Sequence, residues 1–121
     1  MVGVDISGRH EEDGEYRMVA AAVHARIDTT RIRSVEGMGF ATAREGPTLD
    51  ATLALVSTAV GALPEPPDGP IVAERGEFYE VPAARVGLSF RPDFKYVESV
   101  GERETVQAAH HAAYAARDLL L

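Results

Sequence analysis

The chain has 121 residues, 45% of them hydrophobic, a formal net charge of −7 and no cysteine. That length and apolar content suit one domain over residues 1–121, and the missing thiols exclude a disulfide framework and thiolate zinc sites. The acidic balance argues against a surface that coats nucleic acid broadly, because phosphate binding draws on clustered Lys and Arg, but it leaves room for a local basic groove.

In chain order, Val2, Val4 and Ile6 alternate with Gly3, Asp5 and Ser7, which is the period of a strand. Asp13-Gly14 then supplies the positive backbone dihedrals of a tight hairpin turn. Met18 to Val23 runs without a polar interruption and predicts a strand covered on both faces within the segment from Tyr16 to Ala25. A second turn at Asp28 to Thr30 leads to Arg31 to Phe40, whose charges and internal Gly37 and Gly39 suit an edge strand hairpin-paired to the one before.

Pro47 and Thr48 offer helix-start chemistry, and Leu49, Leu53, Val56, Val60 and Leu63 recur at helical steps and predict the buried face. The segment Pro64-Glu-Pro-Pro-Asp-Gly-Pro70 cannot continue a helix and reads as a stiff surface connection. Ile71 to Glu74 is short and apolar, as a buried parallel strand would be. Gly76 to Ala84 fits either a helical turn or irregular structure around Pro82, and either Val86 to Phe90 or Phe94 to Glu98 supplies the last strand. Ser99 with Glu102 makes a capping box, opening a final helix from about Val100 to the end, with Val106, Ala109, Ala113, Ala116 and Leu120 on one arc. His110 falls at the border of that arc and His111 points away from it.

No apolar stretch approaches the roughly 20 residues of a membrane span, and no basic segment precedes an apolar one at the N-terminus. A soluble cytoplasmic protein with no membrane partner is the expectation. Among the 12 basic residues only Lys95 is lysine, a usage that points to a GC-rich prokaryotic or archaeal source.

The run Val2-Gly3-Val4-Asp5-Ile6-Ser7-Gly8 followed by a hairpin resembles the opening of the ribonuclease H-like superfamily, which includes Holliday-junction resolvases. Taken with Glu102-Arg103, Ala109-His110-His111 and Ala116-Arg117, the chain also resembles an uncharacterised archaeal family grouped with that superfamily. The resemblance implies an α/β fold in which a three-strand antiparallel meander precedes helix, strand, strand and helix, with the mixed five-stranded sheet in the order 3-2-1-4-5. It implies a divalent-metal site for phosphodiester cleavage, in which carboxylates hold Mg²⁺ ions that activate water and stabilise the leaving oxygen. Carried over, it sets Asp5 on the first-strand position and Glu74 on the fourth-strand position. The last helix departs from the pattern, presenting Gln107, His110 and His111 where acids are expected. His110 is the candidate third ligand or general base, and an imidazole beside two carboxylates favours Mn²⁺ over Mg²⁺. The first-strand motif is also faintly similar to the phosphate-binding hairpin of the actin and sugar-kinase fold, which needs two such domains where this length supplies one.

Each candidate has a plainer reading. A buried Asp5 is equally served by an arginine or hydrogen-bond donors. Glu74 can pair with Arg75 at the surface, His110 can be a satisfied boundary histidine, and His111 can be solvated. Lys95 and Tyr96 could flank a groove, although Phe94 and Tyr96 alternate as core residues of a strand do. Two functional expectations follow. One is a metal-dependent nuclease or phosphodiesterase acting on nucleic acid through Asp5, Glu74 and His110. The other is a domain of the same fold with a degenerate site and a binding or assembly role, pairing as a homodimer through the Ala-rich last helix or the edge strand.

Overall fold

The computed structural model describes residues 1–90 and 93–120. Strands β1 (Val2–Ser7), β2 (Met18–Ile27) and β3 (Ile32–Ala43) form an antiparallel meander; helix α1 (Leu49–Gly61), strand β4 (Ile71–Ala73), the short helix α2 (Ala83–Val86), strand β5 (Phe94–Tyr96) and helix α3 (Val100–Leu120) follow. The five strands make one mixed sheet in the order β3-β2-β1-β4-β5, with β4 parallel to both β1 and β5. Among the described residues no helix is long and apolar enough to cross a membrane.

The β1 alternation divides the molecule into two faces. Val2, Val4 and Ile6 point to the α1 side and join Met18, Leu55, Val56, Ile71, Phe78, Phe90, Phe94 and Tyr96 in the main core. Gly3 and Asp5 point to the α3 side, where Ala21, Val23, Ala25, Ala109 and Ala113 are the packing residues. The turn at Asp13-Gly14 has φ of 51° and 78°, and Glu12 and Glu15 exchange both backbone hydrogen bonds across it, at 2.8 and 2.9 Å. This is the primed hairpin turn that the dipeptide encodes. Gly8, at φ 91°, lies where a Cβ would run into the Arg17 carbonyl, so no other residue fits there. At the second turn, the Asp28 carboxylate accepts from the amides of Thr30 (2.8 Å) and Arg31 (3.0 Å), and these bonds hold its carboxyl below the usual range.

Strand β3 extends past Phe40 to Ala43 because β2 offers partners as far as Met18, and the register slips near Glu36, between the pairs His24–Gly37 and Ala25–Val35. Helix α1 is capped by Thr48, whose hydroxyl accepts from the Ala51 amide at 3.1 Å. Its buried face is Thr52, Leu55, Val56, Ala59 and Val60, rotated from the expected arc so that Leu49, Leu53 and Leu63 are only half-buried. The cause is a close backbone approach: a Cβ on Gly39 of β3 would stand 2.2 Å from the Ala59 carbonyl oxygen. The proline segment is fastened at Asp68, which bonds the buried His24 at 2.6 Å. Val86 to Phe90 is helical and turn-like, since the amides of Arg85 and Val86 both bond the Pro82 carbonyl, and the last strand is Phe94–Tyr96.

Helix α3 begins with the reciprocal cap: Ser99 Oγ accepts from the Glu102 amide (3.2 Å), while Glu102 Oε1 accepts from the amides of Ser99 (3.0 Å) and Glu98 (2.9 Å). Lys95 reaches this cap, with Nζ 2.9 Å from Glu102, and together with Tyr96 it also lines a cleft beside Val81 and Pro82. Two glycines let α3 lie close. A Cβ on Gly101 would meet the Asp28 carbonyl at 2.0 Å, and one on Gly3 would meet Thr105 at 2.8 Å. At its far end, Arg117 bonds the Arg17 carbonyl (3.0 Å) and Glu12 (2.8 Å), tying the helix to the first hairpin.

Candidate functional site

Asp5 and His110 meet because α3 runs alongside β1 from the Gly3–Thr105 contact onward. Two strand residues advance about 7 Å and five helical residues about 7.5 Å, so the two side chains arrive at the same level. His110 Nδ1 donates to Asp5 Oδ2 at 2.9 Å; the Asp5 side chain is 10% exposed and that of His110 58%. The neighbour of Asp5 across the β1–β2 ladder is Ala21, which leaves room beside the carboxylate. His111 faces outward, its ring 5.5 Å from that of His110.

The second carboxylate at this place is Glu77, from the turn after β4. Phe78 enters the main core against Phe94 (5.6 Å between ring centres) and Phe90 (6.2 Å), and with it seated, Glu77 is buried beside Asp5. Glu77 Oε1 accepts from the Ile6 amide at 3.1 Å and from Arg9 Nη2 at 2.7 Å, and the same Arg9 nitrogen donates to the Glu77 carbonyl at 2.6 Å. The Arg9 guanidinium also lies 5.6 Å from the Tyr79 ring centre, and the Tyr79 hydroxyl donates to the Pro47 carbonyl. Tyr79 and Glu80 both sit at positive φ, 55° and 59°. Non-glycine residues there cost on the order of 1 kcal/mol each, and the Arg9 and Tyr79 contacts offset that strain.

Burial pushes the Glu77 carboxyl up to about 7, with the charge of Asp5 adding to the effect and Arg9 opposing it. Burial also raises Asp5, against hydrogen bonds from His110 and Glu77 that favour its charged form. Two carboxyls buried side by side do not both ionise readily, which favours one proton on the pair under the Arg9 guanidinium and the His110 imidazole.

Of the expected site residues, Asp5 and His110 come together. Glu74 follows the last residue of β4, but its side chain is 42% exposed and faces Arg103 at 3.9 Å rather than joining the groups that act on Asp5. Glu77 takes the place beside Asp5. It lies in the segment whose structure was open between helical turn and loop, where no periodicity marks an inward-facing acid. Among the described residues no group of three or more His, Cys, Asp or Glu is arranged to hold a metal ion. Arg9 and the Ile6 amide already occupy Oε1 of Glu77.

Residues 2–121 match the model of a family described as "Uncharacterized protein conserved in archaea (DUF2209)". The chain belongs to this family. It is also 29% identical over 121 residues to the uncharacterized protein MJ0095 of Methanocaldococcus jannaschii, an alignment covering 99% of this chain and 95% of that protein. No solved structure gives a significant match.

Proposed function

We infer that this member of the archaeal family is a ribonuclease H-like domain whose carboxylate site is closed on itself, and that it works by binding and assembly rather than by metal-dependent cleavage. The sheet order 3-2-1-4-5, with its first three strands antiparallel, supports the fold assignment. The observation that carries the functional reading is the Arg9–Glu77 contact at 2.7 Å, with the Glu77 carboxyl buried beside Asp5 and pushed up to about 7. The charge of a guanidinium and one proton already balances two carboxylates, so no ion is needed to make their burial tolerable. The formal charge of −7 further disfavours a nucleic-acid substrate.

One observation favours a second reading, a Mn²⁺-dependent phosphodiesterase using Asp5, Glu77 and His110. These groups converge from the first strand, the turn after the fourth strand and the last helix, close to the layout that the superfamily resemblance implies for a catalytic centre. Thermal unfolding at pH 6, where Glu77 still holds its proton, with and without Mn²⁺ or Mg²⁺ separates the two. With about 1 mM metal, the closed site predicts a shift in Tm below about 1 °C, whereas a ligand that binds only the folded state raises it by several degrees. A shift of that size in the wild type, lost in Asp5→Ala, overturns the closed-site reading in favour of the metal-dependent one.

A further inference from the structure

A cleft of about 350 Å³ lies at the carboxyl ends of the parallel strands β4 and β5. Its apolar lining is Val81, Pro82, Ala83 and Tyr96, and the Tyr96 hydroxyl fastens this lining to β5 by donating to the Val81 carbonyl. Its charged lining is Arg75, Glu80, Lys95 and Glu98. The connections after parallel strands converge at this end of an α/β sheet, where such folds bind small molecules, and the volume falls within the range of small-molecule sites.

The four charges are of two kinds. Lys95 and Glu98 are already engaged, since Lys95 Nζ lies 3.6 Å from Glu98 and 2.9 Å from Glu102. Arg75 and Glu80 are both exposed, and neither has an ion-pair partner among the described residues. Two opposite charges that line one cleft without pairing leave a gap between them. Burial pushes the Tyr96 phenol up and the charge of Arg75 opposes it, so the guanidinium stands close to the apolar lining. Glu80 is presented from a strained backbone, at φ 59° directly after Tyr79 at φ 55°. Non-glycine residues keep such a conformation where surrounding contacts over-determine it, a pattern concentrated at ligand clamps. Here the contacts are Arg9 against the Tyr79 ring and the Tyr79 hydroxyl on the Pro47 carbonyl.

We propose that this cleft binds a small zwitterion with an apolar body, of the class of a free α-amino acid with an aliphatic side chain. Arg75 takes the carboxylate through its forked guanidinium, Glu80 takes the ammonium, and the side chain lies on Val81, Pro82 and Tyr96. A simple anion is a poorer match, because Glu80 and Glu98 repel it, and a simple cation meets Arg75 and Lys95. A ligand that holds both charges close together engages both unpaired groups and leaves the contact between Lys95 and Glu98 intact. None of the lining residues is Asp5, Glu77 or His110, so the proposal does not depend on the closed site.

NMR titration of the full chain in metal-free buffer tests this with L-leucine, with leucinamide, which lacks the carboxylate, and with N-acetyl-L-leucine, which lacks the ammonium. Leucine, a ligand of about nine non-hydrogen atoms, is expected to bind with a Kd of about 0.1–1 mM and to shift the amides of Glu80, Val81 and Tyr96. Each probe missing one charge should bind at least about tenfold more weakly. Arg75→Gln should weaken leucine by a similar factor and abolish the discrimination against leucinamide. Glu80→Gln should do the same for N-acetyl-L-leucine. Both side chains are exposed, so both variants are expected to fold. No shift with leucine at about 10 mM overturns the proposal. So does binding that ignores the loss of either charge, or discrimination that survives both substitutions.

Discussion

The two faces of the sheet are built on opposite principles. Toward α1 the residues are bulky, and Phe78, Phe90, Phe94 and Tyr96 form a continuous aromatic cluster with ring centres 5.0 to 6.2 Å apart. Toward α3 they are small, with Gly3, Ala21, Ala109 and Ala113 at the contact and the acids Asp5 and Glu77 buried beside them. The aromatic cluster supplies stability that does not depend on pH, since its rings carry no charge. The small-residue face gives up apolar area and gains a close helix approach that holds titratable groups out of water. The difference teaches where a function can be housed: the polar site sits on the face whose packing is thinnest, and the large core behind it bears the cost of burying charge.

The largest expected effect that would break this division is on the aromatic face. Phe94→Ala removes a ring touching Phe78, Phe90 and Tyr96 and should cost about 3–5 kcal/mol, equally at pH 5.5 and pH 8. Urea unfolding at the two pH values checks it, and a pH-dependent loss would show that the faces are not separable. A smaller effect is expected at the helix approach. Gly3→Ala places a Cβ 2.8 Å from the Thr105 backbone and should cost about 1–3 kcal/mol, because the helix must move away from β1. The same displacement should loosen the Asp5–His110 contact, read as a change in the His110 ring resonances by NMR.

The sheet and both long helices were legible because their signals are local. Val2, Val4 and Ile6 declare a strand by alternation, Asp13-Gly14 declares a hairpin by its backbone preference, and Ser99 with Glu102 declares a helix start by mutual capping. Features set by distant partners were not legible. The last residues of β3 are strand because β2 faces them, and the inner face of α1 is turned by the approach of Ala59 to Gly39. The site divides the same way. Asp5 came from the first-strand motif that carries the resemblance, and His110 from its helix angle. Glu77 could not be read, since its inward position depends on Phe78 filling the aromatic cluster and on Arg9 reaching across from the first hairpin. Glu74 was the natural choice from its position after β4, yet its partner is Arg103.

The central claim is that Asp5 and Glu77 share a proton inside the folded molecule, and the pH dependence of stability tests it most directly. Folded Glu77 keeps its proton up to about pH 7, whereas in the unfolded chain it ionises near its ordinary 4.5. Its contribution is therefore fully present below about pH 4.5 and is lost as pH rises through 7. Glu77→Gln preserves the shape and a donor toward Asp5 but cannot ionise. Measured by urea unfolding from pH 5 to 9, the variant should gain on the wild type by up to about 3 kcal/mol toward the alkaline end, in line with a shift of about two and a half pKa units. Two stability curves that run parallel across that range would contradict the shared proton, and with it the closed site.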